Sequence, residues 1–202
     1  MGQEAACAVR YGRQRSQGKA LLETSELIFR GKFRLKIPFS EIRSLQALDG
    51  ELRLQTADGL AVFELGPTAE KWREKILHPK SRLEKLGVKA GASVSLIGEL
   101  DEEFLNELRG LAKNVHEGKI DAQCESIFLA ATSAADLSGI RTVAKAMKGA
   151  TGLWVVYPKG KKEITENDVL AAGRKTGLKD VKVVGFSATH TALKFVIPFD
   201  RR

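Results

Sequence analysis

From residue 5 to residue 65, apolar and polar residues alternate with a period of two, the repeat of a strand whose side chains point to opposite faces. Strand-like runs fall at 6–11, 19–23, 26–30, 33–37, 42–48, 51–55 and 60–65, with turn signals at Gly12, Gly18, Gly31, Asp49-Gly50 and Asp58-Gly59. The two Asp-Gly pairs predict tight hairpins, because glycine supplies the positive φ such turns need. Phe33, Leu35 and Ile37 alternate with Lys32, Arg34 and Lys36, so one face is apolar and the other basic. A half-buried antiparallel sheet produces that pattern by itself. At Gly66-Pro67-Thr68 the period changes. Pro67 suits a first helical turn, Ala69, Trp72 and Ile76 form one stripe, and His78-Pro79 ends the helix.

The remainder alternates strand and helix, which predicts a largely parallel sheet. Strand 94–97 leads to helix 101–113, which has an acidic first turn and a stripe of Phe104, Leu105, Leu108 and Leu111. A short strand at 114–116 and an apolar strand at 126–131 follow. Helix 133–148 is capped by Ser133 or Asp136, strand 153–157 is fully apolar, and helix 165–176 opens on a Thr165/Asp168 capping box. Strands 181–186 and 191–197 close the chain. The division expected is an all-β barrel plus helix at 1–78, a linker at 79–92, and a Rossmann-like α/β three-layer sandwich at 93–202.

Seven strands followed by a helix with an inward tryptophan resemble the pleckstrin-homology-like (PH-like) or GRAM-like fold, through residues 19–42 and 67–76. The resemblance implies a binding module without catalytic apparatus. Lipid-binding members hold phosphorylated head groups with basic residues around the first strand pair, and Arg13, Arg15 and Lys19 fall there. The plainer reading of those residues is a solvated loop. The second half resembles a shortened class I methyltransferase-like Rossmann domain, whose last two strands form an antiparallel hairpin. More closely, it resembles an uncharacterised bacterial family of short methyltransferase-like proteins. The residues that carry this are Lys85-Leu86-Gly87-Val88-Lys89-Ala90-Gly91, Leu153-Trp154-Val155-Val156-Tyr157-Pro158-Lys159 and Ala192-Leu193-Lys194-Phe195-Val196.

A working methyltransferase runs its first strand into a glycine-rich loop that lets S-adenosylmethionine approach the backbone. The equivalent stretch, Ile97-Gly98-Glu99-Leu100-Asp101-Glu102-Glu103-Phe104, has a single glycine and is acidic. The acids disfavour a pyrophosphate at the helix N-terminus. They penalise cationic S-adenosylmethionine less, but the loop is bulky. Ligands of open α/β sheets bind at the carboxyl ends of the strands. Gly98 and Glu99 are therefore candidate cofactor residues, with Lys159 and Lys161 from a basic loop beside a helix start. A solvated charged loop is the alternative for the lysines. Glu117 stands after the second strand, where a ribose-binding acid would be; it also reads as a surface turn residue. Thr132, Ser133 and His190 show no nucleophile elbow or third group.

The apolar fraction of 43% and charged fraction of 29% fit packed domains. A net charge of +8 permits nucleic acid or anionic lipid as partner, while 6% aromatics and the lack of a recognition motif weaken the nucleic-acid reading. No apolar run is long enough for a membrane span, and residues 1–7 lack a secretory pattern; Ala6 argues against myristoylation. Cys7 and Cys124 read as buried small hydrophobes, and His78, His116 and His190 lack metal-ligand spacing, so no metal site is expected. The expectation is a cytoplasmic, non-enzymatic binding or adaptor protein that takes another protein as partner and no cofactor. The alternatives are a divergent S-adenosylmethionine-dependent methyltransferase, or a binder of anionic membranes or nucleic acid through the 13–36 face.

Overall fold

A computed structural model describes residues 2–201. The outer ends of the two expected domains, residues 1 and 202, lie outside them. The chain divides into two compact units, one ending at Lys80 and the other beginning at Ser81.

The first unit is built on alternation. Strands β1 (Gln3–Tyr11), β2 (Gln14–Leu22), β3 (Glu26–Gly31), β4 (Arg34–Pro38), β5 (Ser44–Leu48), β6 (Glu51–Thr56) and β7 (Gly59–Glu64) form one antiparallel sheet in the order β4-β3-β2-β1-β7-β6-β5. Its inner face packs Val9, Leu27, Phe29, Leu52, Leu54 and Phe63. Helix α1 (Thr68–Leu77) lies against β5 and β6 and contributes Ala69, Trp72 and Ile76 to the same core. Asp49 and Gly50 form the two-residue turn between β5 and β6, both at positive φ (51° and 79°) as a type I′ turn demands. In the next hairpin, Thr56 pairs with Gly59, so the turn residues are Ala57 and Asp58. Thr56 Oγ1 stitches that turn by accepting from the Asp58 N–H and donating to the Gly59 carbonyl. Among the described residues the hydrogen-bonded order ends at β4 and β5 without closing.

The second unit holds α2 (Arg82–Leu86), β8 (Ser93–Ile97), α3 (Glu102–Leu111), β9 (Asn114–Glu117), β10 (Ser126–Ala130), α4 (Gly139–Ala146), β11 (Gly152–Pro158), α5 (Glu166–Lys175), β12 (Lys179–Gly185) and β13 (His190–Val196). The sheet order is β12-β13-β11-β10-β8-β9. Strands β9, β8, β10 and β11 are parallel, and β13 runs antiparallel to both β11 and β12. The middle strands β10 and β11 are apolar on both faces, as a sheet covered on two sides requires. Phe128, Trp154 and Val156 pack with α2 and α3, while Ile127, Leu129, Leu153 and Val155 pack with α4 and α5. The result is three layers.

Two stretches differ from expectation. Residues 82–92, read as part of a linker, bury Leu83, Leu86, Val88 and Ala92 in the α2/α3 core. Their helix starts with a Ser81/Glu84 capping box and stops at Gly87. Residues 133–148, read as one helix, form a 3₁₀ turn at Ala134–Ser138 before α4. Among the described residues no helix is long and apolar enough to cross a membrane, and no group of three His, Cys, Asp or Glu could hold a metal. Cys7 and Cys124 are buried and free.

Candidate functional site

Strand order in the second unit reverses at β8, which has β9 on one side and β10 on the other. The loops leaving β8 and β10 therefore diverge and leave a crevice, the position where open α/β sheets take ligands. The crevice measures about 80 Å³, and Glu99, Asp101, Ala130, Thr132, Phe186 and His190 are among the residues lining it. Gly98 forms its root. The chain turns there at φ +83°, and a Cβ would stand 3.1 Å from the Ala130 Cβ and 3.3 Å from its carbonyl oxygen.

The β8–α3 loop is held from two directions. Asp101 caps α3 by accepting from the Phe104 N–H at 2.8 Å. Arg82, only 11% exposed, pairs with Asp101 at 3.2 Å and Glu107 at 3.0 Å. Its guanidinium also lies 5.2 Å from the ring centres of both Phe104 and Phe186. A planar, delocalised cation can satisfy carboxylates at its edge and aromatic rings at its face together. Arg82 thus fixes α3, its cap and one wall of the crevice.

On the β10 side, one oxygen of Asp136 accepts from the backbone N–H and hydroxyl of both Thr132 and Ser133, at 2.8–3.1 Å. These donors, led by the Thr132 N–H, hold the exposed carboxyl below the usual range. The Ser133 hydroxyl is spent on this cap. His190 Nδ1 lies 2.9 Å from Thr189 Oγ1 in the β12–β13 turn. The buried Tyr157 hydroxyl donates to Glu166 at 3.2 Å, and burial, then Glu166, push its pKa up.

Of the four expected cofactor residues, Glu99 lines the crevice and Gly98 roots it. Lys159 and Lys161 are not among the lining residues. Lys159 Nζ donates to the Ser187 carbonyl at 2.6 Å and pins the closing hairpin; Lys161 is exposed. Glu117 at the end of β9 pairs with Arg109 at 2.9 Å. In the first unit, Arg13 sits in the β1–β2 turn, whereas Arg15 pairs with Glu64 at 3.2 Å and Lys19 with Glu4 at 2.7 Å. Arg10 joins Glu51 and Glu64, and Arg53 joins Glu51, so two carboxylates on β6 and β7 are shared among three arginines from β1, β2 and β6.

Sequence reasoning missed Arg82 and Phe186. The Ser81/Glu84 box ahead of Leu83 and Leu86 was the available sign that Arg82 begins a helix.

No family model matches the chain, and no curated protein matches it. Among solved structures, it is similar to a SAM-dependent methyltransferase from Aquifex aeolicus, at 21% identity over 61% of this chain and 96% of that one, with a TM-score of 0.40. It is also similar to an O-methyltransferase family 2 protein from Planctomyces limnophilus in complex with apigenin, at 14% identity and a TM-score of 0.39; the match covers 57% of this chain and 45% of that one.

Proposed function

We propose that this chain is a non-enzymatic binding protein, in which a PH-like β unit accompanies a methyltransferase-like α/β unit whose cofactor crevice has closed. The observation that carries this reading is the crevice's size. It holds about 80 Å³, where small-molecule and cofactor pockets occupy roughly 300–1,000 Å³. The wall does not yield cheaply, because Arg82 clamps Asp101 and packs on Phe186.

Several of the polar groups a catalytic role would draw on are engaged in holding backbone or paired. Ser133 and Thr132 serve Asp136, Lys159 serves the Ser187 carbonyl, and Glu117 serves Arg109. In the first unit, carboxylates neutralise Arg15 and Lys19, which weighs against a surface for anionic lipid or nucleic acid. A protein partner fits this balance best.

The test is thermal melting with and without millimolar S-adenosylmethionine. A ligand at about 100 times its dissociation constant stabilises the folded state by roughly 2.7 kcal/mol and moves a melting point by several degrees. The expected result is an unchanged melting point. A shift of that size would overturn the reading and establish a crevice that opens around the cofactor, as a divergent methyltransferase would need.

A further inference from the structure

Phe199 is 89% exposed, far more than any other large hydrophobic side chain described. It lies in a 3₁₀ turn at Phe199–Arg201 after β13. That turn is fastened beside the end of α5: Arg201 Nη1 donates to the Gly177 carbonyl at 3.2 Å. Gly177 follows Thr176, which lines an open groove of about 470 Å³ between the Ala134–Ser138 turn with α4 on one side and α5 on the other. An unpartnered aromatic knob and a groove therefore share one end of one helix.

The groove suits that knob. Leu137, Ala171 and Ala172 supply small and apolar lining, and Arg141 and Lys175 supply cations with no ion-pair partner among the described residues. The one acid lining it, Asp168, already receives the Thr165 N–H and hydroxyl at the α5 cap. Asp200, next to Phe199, is exposed and likewise unpaired among the described residues. Knob and groove are thus both apolar at their centres and carry opposite charge.

We infer that this face binds a second copy of the chain about a two-fold axis, each copy placing Phe199 in the other's α4/α5 groove with Asp200 towards Lys175 and Arg141. Because knob and groove adjoin on one surface, the exchange is reciprocal and closes as a dimer; a distant knob would instead build open chains. Val183 adds apolar surface on the same side. It pairs with Leu193, which lies in the core under α4 and α5, yet it is 47% exposed. An inserted phenylalanine buries about 150–250 Å². Two such contacts fall short of the roughly 800 Å² per partner of a standard interface, so the dimer forms only as concentration rises. The inference does not depend on whether the crevice binds a cofactor.

The test is sedimentation equilibrium by analytical ultracentrifugation of the full chain up to millimolar concentration. The wild type is expected to dimerise. Phe199→Ser, with an unchanged melting point at low concentration, is expected to weaken the dimer by at least about tenfold. Lys175→Glu should weaken it too, and adding Asp200→Lys should recover part of that loss, only part because Arg141 keeps its charge. A wild type that stays monomeric, a dimer indifferent to Phe199→Ser, or a charge swap that recovers nothing would overturn the inference.

Discussion

Arg82 and Glu107 form a fork-to-fork pair, with guanidinium Nε and Nη2 each 3.0 Å from a carboxylate oxygen. The pair joins α2 to α3 across 25 residues of chain. The same guanidinium covers Phe104 and Phe186. Removing it strips a cation from several carboxylates and uncovers two rings. Arg82→Ala should therefore cost about 2–4 kcal/mol, near the lower part of the range for a broken buried pair because Glu107 retains some solvent. Arg82→Lys should recover only a minor part, since an ammonium offers neither the fork nor the planar face. Urea unfolding would show this as lower midpoints at unchanged slope. A lysine variant as stable as wild type would mean that point charge alone accounts for the pair.

The period-two alternation, the Asp49-Gly50 hairpin and the α1 stripe were legible because each depends on neighbours in sequence. Arg82 was not legible in the same way, because its partners lie 19 to 25 residues away. The contact that Lys159, a candidate cofactor residue in sequence, makes was hidden for the same reason: the carbonyl it serves stands 28 residues further on. The split of 133–148 into a 3₁₀ turn and α4 was hidden by spacing. Leu137, Ile140 and Val143 recur every three residues, a repeat that a 3₁₀ turn and an α-helix share. The crevice's position follows from strand order, which the alternation of strands and helices suggested; two of its lining residues, Asp101 and Phe186, are held by Arg82 from a distant part of the sequence.

Gly98 is required for two separable reasons, its φ of +83° and the 3.1 Å approach of the Ala130 Cβ. Gly98→Ala should destabilise by about 1–2 kcal/mol. Gly118 has a similar φ, +72°, with nothing within 4 Å of where a Cβ would be. Gly118→Ala should therefore show only the conformational cost. Thermal melts of the two variants separate crowding at the crevice root from backbone strain; equal losses would mean that Ala130 moves aside freely.

Gly173 reverses the usual helix rule. Replacing an interior helical glycine by alanine normally stabilises, by up to about 1 kcal/mol. In α5, however, a Cβ at 173 would stand 2.1 Å from the ring of Phe195, which is fully buried. Gly173→Ala should destabilise by about 1–3 kcal/mol through overpacking. Gly110→Ala in α3, where nothing lies within 4 Å, should instead be neutral or stabilising. Opposite signs in chemical denaturation are the expected outcome; a stabilising Gly173→Ala would show that Phe195 repacks at little cost.

The buried cysteine of the first unit predicts alkaline weakening. Burial, against a smaller opposing hydrogen bond from Ala20, pushes the Cys7 thiol from 9.0 up to about 11. The unfolded thiol then ionises first, so between those values the unfolded chain binds fewer protons and stability falls as pH rises. Below pH 9.0 the contribution is intact, and it is lost through the folded value of about 11. The loss amounts to about 3 kcal/mol for a shift of this size. Cys124 and Tyr157, both raised first by burial, act with the same sign. Urea midpoints should therefore decline over this window in the wild type and decline less in Cys7→Ala. A thiol reagent at neutral pH should label Cys7 only after unfolding, because burial denies both access and the thiolate form. Identical alkaline slopes in wild type and variant would show that Cys7 does not titrate differently in the two states.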